Sequence, residues 1–226
     1  MNSMVLPFDE AVRQRFSPRA FLPTPLTPAQ LNEVLQDAQH SPSNCNTQPW
    51  HVHIVSGETK DALTRVMVEN DNAGVVSPDF SFSYADFHGD YYDRSQQQAQ
   101  AYYQTLDIAR NDKEKRREVF LRNYHFFGAP HAAFLFMPVV GDNVRVASDI
   151  GMYGQSFLLS LAARGYAGIP QTLLGFHADA VREMLGVPDT FRLLFGISFG
   201  YADPAAPTYH ARMPKIPVEQ SVVFHD

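Results

Sequence analysis

Closely spaced arginines and a hydroxyl can grip one phosphate, and Arg13-Gln14-Arg15-Phe16-Ser17-Pro18-Arg19 offers that set. Over a short non-helical stretch, Arg15, Ser17 and Arg19 could converge on a single anion, each guanidinium presenting a planar fork of donors. A solvated arm accounts for the same basic run. A second segment, Pro42-Ser43-Asn44-Cys45-Asn46-Thr47-Gln48-Pro49-Trp50, crowds amides and hydroxyls between a helix end and a strand. Such groups suit a polar ring edge, or else the Asx-turns of a connecting loop. Residue types alone leave both open.

Other chemistries find less support. Gly196-Ile197-Ser198-Phe199-Gly200 has the G-x-S-x-G spacing of hydrolases, but that elbow needs a helix directly after the strand. Tyr201-Ala202-Asp203-Pro204-Ala205-Ala206-Pro207 cannot supply one, so a strand is expected instead. His51 and His53 share one side of a strand, yet no H-E-x-x-H pattern and no cysteine ligands join them on a metal. Neither a G-x-G-x-x-G turn nor a P-loop lysine occurs, which leaves no Rossmann or triphosphatase reading.

These segments need elements to hold them. Thr27-Pro28-Ala29-Gln30 predicts a helix start, with a threonine cap, proline at the first turn and a capping-box glutamine. Leu31, Val34, Leu35 and Ala38 then share a face. Strands are expected at residues 50–55, 131–136 and 192–199, the last of them central. Helices are expected at residues 58–70, 94–110, 113–126, 144–164 and 179–185. The helix at 144–164 should be the most buried, with Gly151 and Gly154 allowing close approach. Residues 71–92 read as an irregular lobe around Phe80, Phe82, Tyr84, Phe87, Tyr91 and Tyr92. The tail, from Lys215 to Val222-Val223-Phe224, is too apolar for a loose end and should dock on something.

Composition bounds the function. With 45% apolar residues the 226-residue chain can build a core, and one domain spanning residues 1–226, with an aromatic-rich excursion at about 71–126, is expected. A net charge of −6 argues against a general nucleic-acid binder, because that affinity comes from Lys and Arg. A lone cysteine, Cys45, excludes an intrachain disulfide and fits a reducing compartment, so the cytoplasm is expected. No membrane anchor or signal peptide is visible in the sequence.

Three of these segments, taken in order, resemble the nitroreductase family of FMN enzymes. Arg15-Phe16-Ser17-Pro18-Arg19 is similar to its N-terminal flavin segment, and residues 42–50 to its P-S-x-x-N-x-Q-P-W signature. Arg212 and Lys215 resemble its C-terminal basic pair. Tyr91-Tyr92-Asp93-Arg94 and Arg122-Asn123-Tyr124-His125-Phe126-Phe127-Gly128-Ala129-Pro130 are similar to the nitrobenzoate- and dinitroaniline-reducing branch.

The resemblance implies an α+β fold with a central, mostly antiparallel sheet flanked by helices, in an obligate homodimer whose C-terminal tails are exchanged. It implies FMN held by Arg15, Phe16, Ser17, Arg19, Arg212 and Lys215, with Ser43, Asn44, Asn46 and Gln48 reaching it from the partner subunit. Pro170, Gln171 and Thr172 would lie against the ring and offer a backbone N–H to N5. Which of Arg122, Asn123 and His125 faces the flavin stays open. NADPH or NADH would pass hydride to N5, and a nitroaromatic would then be reduced in the same place to hydroxylamine or amine. Arg19 would stabilise the reduced ring electrostatically, with no essential protein acid or base. Quinone or enone reduction, other flavin chemistry, and a flavin-binding dimer without turnover are the alternatives.

Overall fold

The computed structural model describes residues 5–225. Four antiparallel strands form its sheet: β1 (His51–Ser56), β2 (His131–Pro138), β3 (Ala167–Gln171) and β4 (Phe191–Gly200), in the spatial order β1-β2-β4-β3. Strand β2 is buried on both faces because its apolar residues run without interruption. Ala132, Phe134 and Phe136 point into one core cluster, and Ala133, Leu135 and Met137 into the other.

Register slips once along β2 and β4. Leu135 pairs with Phe195 but Phe136 with Leu193, so Leu194 is the extra residue of a bulge. Side chains alternate with period two, and one inserted residue exchanges the faces. Leu193 therefore joins the first cluster, while Ile197 and Phe199 join the second.

Helices cover both faces. On the first lie α3 (Gly57–Asn72) and α7 (Ala178–Leu185), which bury Leu63, Met67 and Val181. On the second lie α2 (Pro28–Gln39) and α6 (Val144–Ala163). As expected, α2 starts on a complete capping box: Gln30 N–H donates to Thr27 Oγ1 at 3.3 Å, and Thr27 N–H to Gln30 Oε1 at 2.8 Å. Helix α6 buries ten residues, more than any other helix here. Gly154 is where it approaches the sheet, since a Cβ there would stand 2.9 Å from Phe195 Cζ. Gly151, expected to share that role, faces open space.

Several expected boundaries move. A first helix, α1 (Phe8–Gln14), takes in Arg13 and Gln14, so the non-helical stretch begins at Arg15. The irregular lobe is shorter than residues 71–92, because α3 runs on to Asn72 and α4 (Gly89–Thr105) already contains Tyr91 and Tyr92. Helix α5 (Lys113–Leu121) stops five residues before the expected Phe126, where Phe126 and Phe127 adopt positive φ of 53° and 54°. No helix is long and apolar enough to cross a membrane among the described residues.

Candidate functional site

The N-terminal basic segment sits where α1 ends. Arg15 caps α1, Pro18 is buried, and Phe16, Ser17 and Arg19 are half-buried. The C-terminal basic residue comes to it. Arg212 places its guanidinium carbon 3.6 Å from the centroid of the Phe16 ring, which also meets Tyr209 edge-on at 5.4 Å. Partial burial lowers the Arg212 pKa and the neighbouring Arg15 charge lowers it further, against an opposing pull from Tyr209. Arg13, Arg94, Arg117, Arg164, Arg182 and Arg192 pair with carboxylates, whereas Arg15, Arg19 and Arg212, like Arg65, Arg110, Arg116, Arg122 and Arg145, do so with none among the described residues. Crowded, uncompensated cations in an acidic chain are suited to a ligand dianion. Lys215 is exposed on the segment that follows.

Arg19 lies over a different aromatic ring. Its guanidinium carbon is 4.4 Å from the centroid of Tyr102 on α4, and Arg122 donates to its backbone carbonyl at 2.6 Å. Of the three residues left open by sequence, Arg122 thus holds the basic segment. Asn123 turns the other way and accepts from Gln171 Nε2 at 3.1 Å through its carbonyl and 3.2 Å through its side chain. His125 is exposed.

Strand β3 links two hollows. Ala167 and Gly168 border a cleft of about 290 Å³ whose wall includes Arg15, Phe16 and Tyr209. Pro170, Gln171 and Thr172 border a more open apolar cavity of about 450 Å³, walled by Phe80, Phe82 and Phe195. Only Ile169 lies between the two borders on this edge strand, whose ends, Ala167 and Gln171, stand roughly 13 Å apart at the usual rise. Pro170 is tolerated there because an edge strand need not donate on its outer side. Gln171 is buried at 4% exposure, and its side chain accepts from Ser198 Oγ and donates to Asn123, so that side chain is already engaged inside the fold. Ser198 is fully buried mid-strand and is no nucleophile elbow.

The aromatic wall is fixed by a carboxylate that sequence reasoning passed over. The Asp79 side chain is buried, pairs with Arg182 and with Arg192 at 3.1 Å, and accepts from the Leu193 N–H at 2.7 Å. Ser77 adds a bridge to His177. The next residues, Phe80 and Phe82, are thereby set over the end of β3.

The amide-rich loop lies on α6. Asn44 N–H donates to the buried Asp149 carboxylate at 3.1 Å, and Gln48 N–H donates to Ser43 Oγ at 2.9 Å. Cys45, Asn46 and Gln48 all have positive φ, between 48° and 55°. The Asn44, Asn46 and Gln48 side chains are exposed, remote from any role in the core. His51 and His53 face each other at 4.8 Å, and their rings pack on Phe191 and Phe136. No cluster of metal-ligating side chains occurs among the described residues.

The chain is 37% identical to nitroreductase NfnB of Mycolicibacterium smegmatis over 216 residues, covering 96% of this chain and 92% of that one. It is 31% identical to a 4-nitrobenzoate reductase of Pseudomonas putida, covering 92% and 91%. The crystal structure of the FMN-dependent nitroreductase NfnB from Mycobacterium smegmatis in complex with NADPH superposes with a TM-score of 0.92 at 36% identity, covering 96% and 97%. A model of the nitroreductase family matches residues 12–201, and the chain belongs to that family.

Proposed function

We propose that this chain is an FMN-dependent NAD(P)H nitroreductase acting as a homodimer. The observation that carries it is the arrangement along β3: unpaired Arg15 and Arg212 at one end, and an apolar, aromatic-walled cavity at the other. A flavin mononucleotide has the matching chemistry, an anionic phosphate joined by a polar chain to a flat ring. Relatives named as nitroreductases and nitrobenzoate reductases, and a solved neighbour with FMN and NADPH, support the reading.

Bound FMN supplies the two-electron exchange between a nicotinamide donor and a nitroaromatic acceptor. The protein's own part is binding and electrostatics. Arg15, Arg212, Ser17 and Lys215 hold the phosphate end, Phe16 keeping Arg212 in place. Arg19 puts a fixed positive charge beside the ring, where reduction adds negative charge. Pro170, Gln171 and Thr172 offer backbone to the ring, and Phe80 and Phe82 wall the space that admits flat acceptors and excludes water. The loop bearing Ser43, Asn44, Asn46 and Gln48 is tied to α6 through its backbone, and its exposed amide side chains serve the other subunit's site. Val223 and Phe224, 74% and 84% exposed, support a partner that buries the tail.

The visible spectrum of purified protein, with FMN reconstitution and anaerobic NADPH and NADH titration, tests the proposal. A yellow protein bleached by a nicotinamide and reoxidised by 4-nitrobenzoate is expected. A protein that binds no FMN would overturn it, and reoxidation by quinones alone would move the substrate class.

A further inference from the structure

Tyr102 is the one aromatic residue of α4 whose hydroxyl is fully shielded from water, and that hydroxyl has no hydrogen-bond partner among the described residues. Its ring carries the Arg19 guanidinium at 4.4 Å. Burial raises its pKa while Arg122 and Arg19 pull it down, and the net shift is upward, so the phenol stays protonated beside two cations. Arg19 is correspondingly fixed at two points. Arg122 holds its backbone carbonyl, and with no carboxylate in reach among the described residues its charged head rests on the Tyr102 face. A guanidinium over an aromatic face is attracted by the ring quadrupole and keeps its N–H edge free for other acceptors.

We infer that Tyr102 is a positioning residue for Arg19: its ring face holds the guanidinium in place to stabilise reduced FMN, which couples the α4 excursion to the flavin's reduction potential. The inference rests on the proposed placement of Arg19 beside the ring. It concerns the face of Tyr102 rather than its hydroxyl. Phenylalanine and tryptophan should therefore substitute, and leucine should not.

The test is the midpoint potential of bound FMN, with FMN affinity alongside, in the wild type, Tyr102→Phe, Tyr102→Trp, Tyr102→Leu, Arg19→Leu and the Arg19→Leu/Tyr102→Leu pair. Tyr102→Leu is expected to weaken the preference for reduced over oxidised FMN about tenfold, a fall of about 30 mV for a two-electron couple. The two aromatic variants should keep the wild-type potential, and Tyr102→Leu should add nothing in the Arg19→Leu background. Loss of FMN by Tyr102→Leu alone, with retention by both aromatic variants, supports the same role. An unchanged potential in Tyr102→Leu, an equal fall in Tyr102→Phe, a further fall in the double variant, or loss of FMN by all three overturns it. If Arg19→Leu itself leaves the potential unmoved, or the wild type takes up no FMN, the proposed flavin site has failed instead.

Discussion

Arg212 stacks on Phe16 with 3.6 Å between the guanidinium carbon and the ring centroid, which joins the two ends of the chain at one charged spot. Its remaining bonds go to the carbonyls of Tyr209 and Ala211, so it is held without being neutralised. A charge-assisted hydrogen bond contributes about 1.5–3 kcal/mol, and Arg212→Ala should weaken FMN binding roughly 10- to 100-fold on that scale. Phe16→Leu removes only the stacking surface and should cost a few-fold, as expected for about 0.5–1 kcal/mol of partly exposed cation–π attraction. Quenching of FMN fluorescence on titration with apoprotein measures both. Equal losses in the two variants would mean that Phe16 does more than place Arg212.

Asp79 is the lobe's anchor, and its pairing with Arg182 is a buried one, at 4% and 7% side-chain exposure. Removing one partner of such a pair strands the other charge and costs about 3–5 kcal/mol. Asp79→Ala should lower the unfolding free energy by about that amount in urea and raise the KM for the nitroaromatic, because Phe80 and Phe82 follow directly. Asp179→Ala is the control. Asp179 also contacts Arg182, but at 73% exposure its loss should stay within about 1 kcal/mol. A stable Asp79→Ala protein with unchanged KM would show that the wall needs no anchor.

What sequence could show depended on how local the signal was. The capping box of α2, the apolar run of β2 and the glycine stop after α7, where Gly186 has φ +64°, are all written in neighbouring residues. Helix α1 has only seven residues and Pro7 as its cap, which gives no side-chain signal. Strand β3, Ala-Gly-Ile-Pro-Gln, carries a glycine and a proline that argue against a strand anywhere but at an edge. At the site, the basic segment around Arg15 and the loop from Ser43 to Gln48 could be picked out because each is a contiguous motif. Tyr102, Asp79 and Asp149 could not. Their partners lie far along the chain, with Asp149 105 positions from Asn44 and Arg182 103 positions from Asp79.

Ser198 offers a direct check on the G-x-S-x-G pattern. It is fully buried, and its hydroxyl donates to Gln171, whose amide goes on to Asn123. Ser198→Ala leaves a buried acceptor without its donor and should destabilise the protein by about 1–3 kcal/mol. A fluorophosphonate probe should label neither the wild type nor the variant. Covalent labelling of Ser198 would contradict its burial.

Three histidines should make the stability of the fold depend on pH just below neutrality. Burial lowers the pKa of His131, His177 and His53 below their ordinary value of 6.5, with further lowering by Lys60 at His131 and by His51 at His53, while Asp71 partly opposes it at His177. His131 needs its neutral form, since Nε2 accepts the Leu26 N–H at 2.8 Å. Below 6.5 the unfolded chain binds protons that the native histidines refuse, so stability rises with pH through this window and falls as pH drops beneath it. The urea midpoint should therefore be lower at pH 5.5 than at pH 7.5 by roughly the amount these groups contribute. That loss is separable from carboxylate protonation. Asp37, held below its ordinary 3.8 by hydrogen bonds from Ser160 and Arg164 that outweigh burial, gives way only in more acidic solution. Both nitrogens of His177 lack partners among the described residues, so His177→Phe removes one titrating group without breaking a hydrogen bond. It should flatten the slope between pH 5.5 and 6.5, and a slope identical to wild type would take His177 out of the account.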